Sequence, residues 1–208
     1  MEKEKEIILV RHAETDWNRE NRVQGSLDIP LNHEGTKQAS EIAQSLSNLT
    51  IDYIFSSKLK RSYQTALKIA RPHHLQVQLD ERLNELSQGK WEGMIISEVE
   101  KYYPELYAEW MKNPSLVIPP GGEGIVEVLF RVREFWKIRI VPLHGRIVIV
   151  GHKVINALIK SMAEEITDLS NLWDWLPENA QIEVIHPKKL QGDNHGLLKD
   201  DLSQRKEK

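Results

Sequence analysis

The 208-residue chain predicts an α/β fold with a mostly parallel sheet, and three observations carry that prediction. Two short runs rich in β-branched residues, Ile7-Ile8-Leu9-Val10 and Arg146-Ile147-Val148-Ile149-Val150, read as fully buried strands. Between and after them, apolar residues recur at helical spacing. Strand-like and helix-like segments alternate along the chain, the order a parallel sheet wound with helices requires.

The elements follow in order. After the first strand, residues 11–31 are polar and contain Gly25 and Pro30, so they read as loop and turn. Asn32 is placed as the N-cap of a helix with Ala39, Ile42, Ala43 and Leu46 on one side. A second strand, Tyr53-Ile54-Phe55, ends at Ser56-Ser57. Ser57 is expected to cap a helix that buries Leu59, Tyr63, Ala66, Leu67 and Ala70, with Arg61 in its first turn. Residues 75–79 alternate like a half-buried strand. Ile96, Val99, Tyr103, Leu106 and Trp110 keep one helical period; 113–124 is a Pro- and Gly-rich loop, and 125–138 a further helix. Residues 91–143 are therefore expected to be an excursion, a small lid over one edge of the sheet. A helix through Ile155, Leu158, Ile159 and Met162 follows the strand at 146–150. Residues 182–185 close as an edge strand. The division expected is a single domain over 1–187 and a polar, charged tail over 188–208.

Composition narrows the function. A hydrophobic content of 40% and a charged content of 28% are ordinary for a globular domain, and a formal net charge of −3 argues against a general polyanion binder. Nucleic acid and membrane are not expected partners, and a homodimer stays open. With no cysteine, disulfides, thiolate chemistry and Cys-based zinc sites are excluded. The charged opening Met1-Glu2-Lys3-Glu4-Lys5-Glu6 does not read as a signal peptide, and the expected location is cytoplasmic.

Two strands each run into a histidine, as Val10-Arg11-His12 and as Val150-Gly151-His152. If they are parallel neighbours, both imidazoles meet at the carboxyl edge of the sheet, where open α/β folds bind ligands. Arg61, opening the helix after another strand, would face the same cleft. Two arginines and two histidines form a preformed site for a phosphoryl dianion.

At these residues the chain resembles the histidine phosphatase superfamily, which contains the phosphoglycerate mutases and many small phosphatases. The resemblance rests on Arg11-His12-Ala13-Glu14-Thr15, Trp17-Asn18, Gln24-Gly25, Asp28-Ile29-Pro30-Leu31-Asn32 and Gly35. It continues through Ser56-Ser57-Lys58-Leu59-Lys60-Arg61-Ser62, Gln64-Thr65-Ala66 and Arg82-Leu83-Asn84-Glu85. Gly89, Trp91-Glu92-Gly93, Pro120-Gly121-Gly122-Glu123 and Val150-Gly151-His152 complete it. It implies a three-layer α/β/α sandwich and phosphoryl transfer through a phosphohistidine, with no cofactor and no metal.

Position by position, the resemblance makes His12 the nucleophile and gives the phosphoryl oxygens to Arg11, Arg61 and His152. It makes Glu85 the proton donor to the leaving alkoxide. A carboxyl group in that role is expected to be partly buried with a raised pKa. Glu14, Glu81 and Glu92 are weaker candidates for the same part. Asn18, Gln24 and Gly25 are expected at the bound phosphate, although Asn18 could equally cap a turn. The remaining histidines (33, 73, 74, 144, 186 and 195) read as surface or structural. The tryptophans read as core, with Trp110 open between core and substrate wall.

Three departures stand out. Ala13 replaces the usual glycine and requires φ < 0. Gly124 follows Gly122-Glu123 where many members carry serine. Lys153-Val154-Ile155-Asn156 follows His152 where small residues are common. Lys153 is a candidate for binding a second acidic group of the substrate; a solvent-facing lysine is the bland alternative. The reaction expected is hydrolysis of a small phosphorylated metabolite, with a mutase-type isomerase as the alternative and a non-catalytic binder third. Phosphoserine, phosphoglycerates, sugar phosphates and α-ribazole phosphate all remain open.

Overall fold

The computed structural model describes residues 4–169 and 172–187. In chain order the elements are β1 (Glu6–Arg11), α1 (Asp16–Arg19), α2 (His33–Leu46), β2 (Tyr53–Ser56), α3 (Lys60–His73) and β3 (Gln78–Leu79). Then come α4 (Ile96–Tyr102), α5 (Pro104–Lys112), α6 (Ile125–Phe135), β4 (Arg146–Gly151), α7 (Lys153–Ala163) and β5 (Ile182–Ile185). The strand order is β3-β2-β4-β1-β5, parallel except for β5, which runs antiparallel along β1 as the expected edge strand.

Pleating sorts the apolar strand residues into two cores. Ile8, Val10, Ile54, Val148 and Val150 face Ile42, Leu46, Ala66 and Ile69 of α2 and α3. Ile7, Leu9, Phe55, Ile147 and Ile149 face Val128, Val132 and Phe135 of α6 and Ile155, Leu158 and Ile159 of α7. The result is a three-layer sandwich. Each fully buried aliphatic side chain contributes about 1.5–3 kcal/mol relative to exposure. Helix α6, drawn from the 91–143 stretch, thus packs on the sheet face itself. Trp91 and Trp110 join the same core, with Trp110 stacked edgewise on Trp173 at 5.1 Å, so Trp110 is core.

Local signals act as expected at several places. Gly35 N donates to the Asn32 Oδ1 cap at 2.7 Å. Gly35 must be glycine, because a Cβ there would lie 2.0 Å from Glu14 O. Ala13 lies outside the positive-φ residues.

Elsewhere the expectations need correction. Helix α3 begins on Leu59 without a side-chain cap. Its buried face is Arg61, Ser62, Thr65, Ala66, Ile69 and Ala70, while Leu67 is 45% exposed. The face is partly polar because it abuts the end of the sheet, where Thr65 Oγ1 accepts from Ala13 N and donates to Arg61 O. Strand β3 has only two residues, though Leu75 and Val77 still pack on the core. The single period through Trp110 splits into α4 and α5, because Pro104 lacks an N–H and starts a new helix at its first position. Among the described residues no helix is long and apolar enough to cross a membrane.

Candidate active site

The β1–β4 register aligns Arg11 with Gly151, so the next residues, His12 and His152, leave adjacent parallel strands side by side. Their ring centroids are 5.2 Å apart at 58°. Both histidines are buried.

His12 Nδ1 lies 2.8 Å from Ala13 O. A carbonyl only accepts, so Nδ1 carries the proton and Nε2 keeps its lone pair. Burial, then the charges of Arg61 and Arg11, hold the His12 pKa well below the ordinary 6.5. The group is a neutral imidazole with a defined tautomer.

His152 is arranged differently. Arg61 Nε donates to its Nδ1 at 3.3 Å, and its Nε2 lies 2.9 Å from Ser57 Oγ and 3.2 Å from Ser62 Oγ. With Nδ1 accepting, the proton sits on Nε2. Burial, followed by Arg61, His12 and Arg11, pushes its pKa well below 6.5 as well.

The guanidinium groups are buried, Arg61 to 1% exposure. Arg61 Nη1 donates to Leu27 O at 2.6 Å and Nη2 to Gly25 O at 2.7 Å. Burial lowers its pKa to about 10, so it stays a cation at neutral pH. Arg11 Nη1 donates to Pro177 O at 2.9 Å. Burial lowers the Arg11 pKa, while Glu85 and Glu178 raise it.

Of the four carboxylates weighed from the sequence, Glu85 is the one buried beside both arginines. Its Oε1 accepts from Leu86 N at 3.0 Å, and its Oε2 from Val154 N at 3.3 Å, at the start of α7. Glu81 is exposed and paired with Lys58; Glu14 accepts from Asn32 Nδ2. Glu92 is occupied by Ser26, Ser87 and Gln88.

Asn18 does cap: Thr15 Oγ1 accepts from Asn18 N, and Asn18 Oδ1 accepts from Thr15 N at 3.0 Å. Gly25 enters the site through its carbonyl. Gln24 carries a buried Oε1 without a partner. Lys153 is exposed as the first residue of α7. Burial of its amine and the Arg11 charge lower its pKa, against Glu178 and Glu85.

The site also contains residues that sequence reasoning did not single out for it. Ser57, expected as a cap, bonds Asn84 Oδ1 at 2.9 Å and faces His152. The turn before β5 forms a wall: Ala180 N donates to His12 O at 3.3 Å, and Asn179 Nδ2 donates to His12 O at 3.2 Å and to Asn18 Oδ1 at 3.3 Å. Pro177 and Asn179, turn-forming residues just ahead of the edge strand, are the signal the sequence offers. His195 lies outside the described residues.

The chain is 41% identical over 182 residues to phosphoserine phosphatase 1 of Hydrogenobacter thermophilus, covering 86% of this chain and 85% of the relative. It is 38% identical to phosphoglycerate mutase-like protein 4 of Arabidopsis thaliana, covering 76% and 70%. Among solved structures, mycobacterial glucosyl-3-phosphoglycerate phosphatase in complex with VO3 superposes with a TM-score of 0.75 at 28% identity, covering 86% of this chain and 91% of that one. A family model for the histidine phosphatase superfamily (branch 1) matches residues 7–196. With that match and a neutral histidine between buried arginines at the carboxyl edge of its sheet, the chain belongs to the histidine phosphatase superfamily.

Proposed function

We propose that the protein is a phosphomonoesterase that hydrolyses a small phosphorylated metabolite through a phosphohistidine on His12. The observation that carries this reading is the tautomer of His12: Nδ1 is tied to Ala13 O, and the free Nε2 lone pair sits in a pocket of buried cationic charge.

The chemistry follows from the groups present. His12 Nε2 forms a bond to phosphorus as the ester P–O bond breaks. Glu85 gives a proton to the departing alkoxide. Arg11 and Arg61 meet the phosphoryl charge, the electrostatic part of catalysis. Water then attacks the phosphohistidine, Glu85 takes its proton, and orthophosphate leaves with His12 again neutral. Both ring nitrogens of His152 face protein groups, so its Nε2–H reaches a phosphoryl oxygen by exchanging with Ser57 or Ser62.

Hydrolysis rather than isomerisation is supported by the names of two relatives, phosphoserine phosphatase and glucosyl-3-phosphoglycerate phosphatase. Both names denote phosphomonoesters that also carry a carboxylate, which makes an acidic substrate the better fit, with Lys153 at the mouth. The core that α6 and α7 share with one face of the sheet, and the core that α2 and α3 share with the other, support reading 1–187 as one domain.

A phosphomonoester panel scored both for orthophosphate and for 3-phosphoglycerate isomerisation tests the reaction. Orthophosphate release with no isomer is expected. Acid-labile phosphate on the wild type and none on His12→Ala is expected; equal labelling of the variant removes His12 as nucleophile.

A further inference from the structure

Glu92 has no place in the steps above, yet its Oε1 gathers four hydrogen bonds. Ser26 donates through its N–H at 2.8 Å and its hydroxyl at 3.0 Å, Gln88 N–H at 2.9 Å and the Ser87 hydroxyl at 3.2 Å. Ser26 lies between Gly25 and Leu27, the two residues whose carbonyls hold the Arg61 guanidinium. Gly25 adopts the left-handed region at φ +50°, and a Cβ there would stand 2.2 Å from Glu92 Oε1. A side chain at Gly25 would have to displace the Glu92 carboxylate and would also sit in the left-handed region that favours glycine.

We propose that Glu92 is a positioning residue that acts through Arg61. It fixes Ser26, and the flanking carbonyls then hold the guanidinium at one orientation. A guanidinium has five N–H donors. Three are committed, to Gly25 O, Leu27 O and His152 Nδ1. One N–H on each terminal nitrogen is left, in a fixed place, for phosphoryl oxygens. Without the carboxylate, the Ser26 and Gln88 N–H groups lose their acceptor and the carbonyl pair drifts. Arg61 then regains freedom that must be lost again at each binding event. The inference rests on reading Arg61 as a phosphate ligand, and the test separates the two.

Inhibition by orthovanadate and kcat/KM for p-nitrophenyl phosphate are measured for wild type, Glu92→Ala, Glu92→Gln, Gly25→Ala, Arg61→Ala and each double with Arg61→Ala. Glu92→Ala is expected to weaken vanadate inhibition and lower kcat/KM about tenfold on the wild-type background, and by less than about twofold once Arg61 is gone. Gly25→Ala, which forces the carboxylate away, is expected to follow Glu92→Ala. Glu92→Gln keeps a neutral acceptor and loses less. If Glu92→Ala does not fold, Gly25→Ala and Glu92→Gln carry the same comparison. Equal fold-losses on both backgrounds, the behaviour of a staple that merely holds two loops together, overturn the proposal. So does non-additivity with Glu85→Gln in place of Arg61→Ala. Wild-type vanadate inhibition of Arg61→Ala overturns instead the reading of Arg61 itself.

Discussion

His12 and His152 face each other across 5.2 Å with their protons on opposite ring nitrogens: Nδ1 in His12, held by Ala13 O, and Nε2 in His152, whose Nδ1 accepts from Arg61. Both are neutral for the same reason, burial first and the neighbouring arginines second. The asymmetry leaves one ring with a lone pair on Nε2 and the other with an Nε2–H, and it comes from partners in the chain rather than from differences in exposure.

That shared neutrality has a consequence for stability. A histidine whose folded pKa lies below its unfolded value binds fewer protons folded than unfolded. Stability therefore rises with pH across the interval between the two and is lost as pH falls below about 6.5. Each buried histidine contributes a slope of about 1.4 kcal/mol per pH unit in that interval. Unfolding free energies by denaturant at pH 7.5 and 5.5 are expected to fall on acidification, and His12→Asn to remove about half the drop due to the pair. Half-buried His73, also lowered by burial, adds its own acid dependence, so the difference between wild type and variant is the informative quantity. An unchanged slope in His12→Asn would contradict a neutral His12.

Much of this pair is legible in the sequence. Two β-branched runs each ending in a histidine require only parallel pairing to bring the rings together, and that pairing is what a chain of alternating strands and helices provides. The walls around them were not. Ser57 reads as a cap because serine before a helix often is one, and its bond to His152 depends on a residue 95 positions away. Leu67 reads as buried from the spacing of apolar residues, whereas Arg61 and Thr65 take that face because the sheet end supplies partners for their polar groups. A pattern of apolar spacing carries no information about such partners.

Glu85→Gln separates the proposed acid role from the structural one. Glutamine keeps an acceptor for Val154 N but has no proton to give to a leaving alkoxide. kcat is expected to fall about 10²–10⁴-fold with alkyl phosphates and much less with p-nitrophenyl phosphate, whose leaving group needs no proton. Equal losses on both substrates would assign Glu85 to holding α7.

Asn179 is expected to matter because its amide donates to both His12 O and Asn18 Oδ1. Asn179→Ala removes two hydrogen bonds of about 1 kcal/mol each. Asn179→Asp should be worse, since it sets a carboxylate against two acceptors. A larger loss of kcat/KM in Asp than in Ala, at matched melting temperature, is the outcome to look for. The reverse order would mean the side chain only fills space.

Replacing Lys153 tests which ester the site accepts. It is the first residue of α7, one position beyond His152, and its amine feels the charges of Arg11, Glu178 and Glu85. A second acidic group on the substrate would find a cation there; a neutral alcohol moiety would not. A hydrogen bond to a charged group contributes about 1.5–3 kcal/mol, so Lys153→Ala is expected to cost about tenfold or more in kcat/KM for a carboxylate-bearing phosphomonoester. The loss for a neutral ester of similar size should stay within about twofold, because the proposed mechanism gives the phosphoryl group itself to Arg11 and Arg61. Since Lys153 is exposed, its removal leaves no cavity and the melting temperature should hold. Equal losses on the two esters would make Lys153 a general contributor to the field of the cleft.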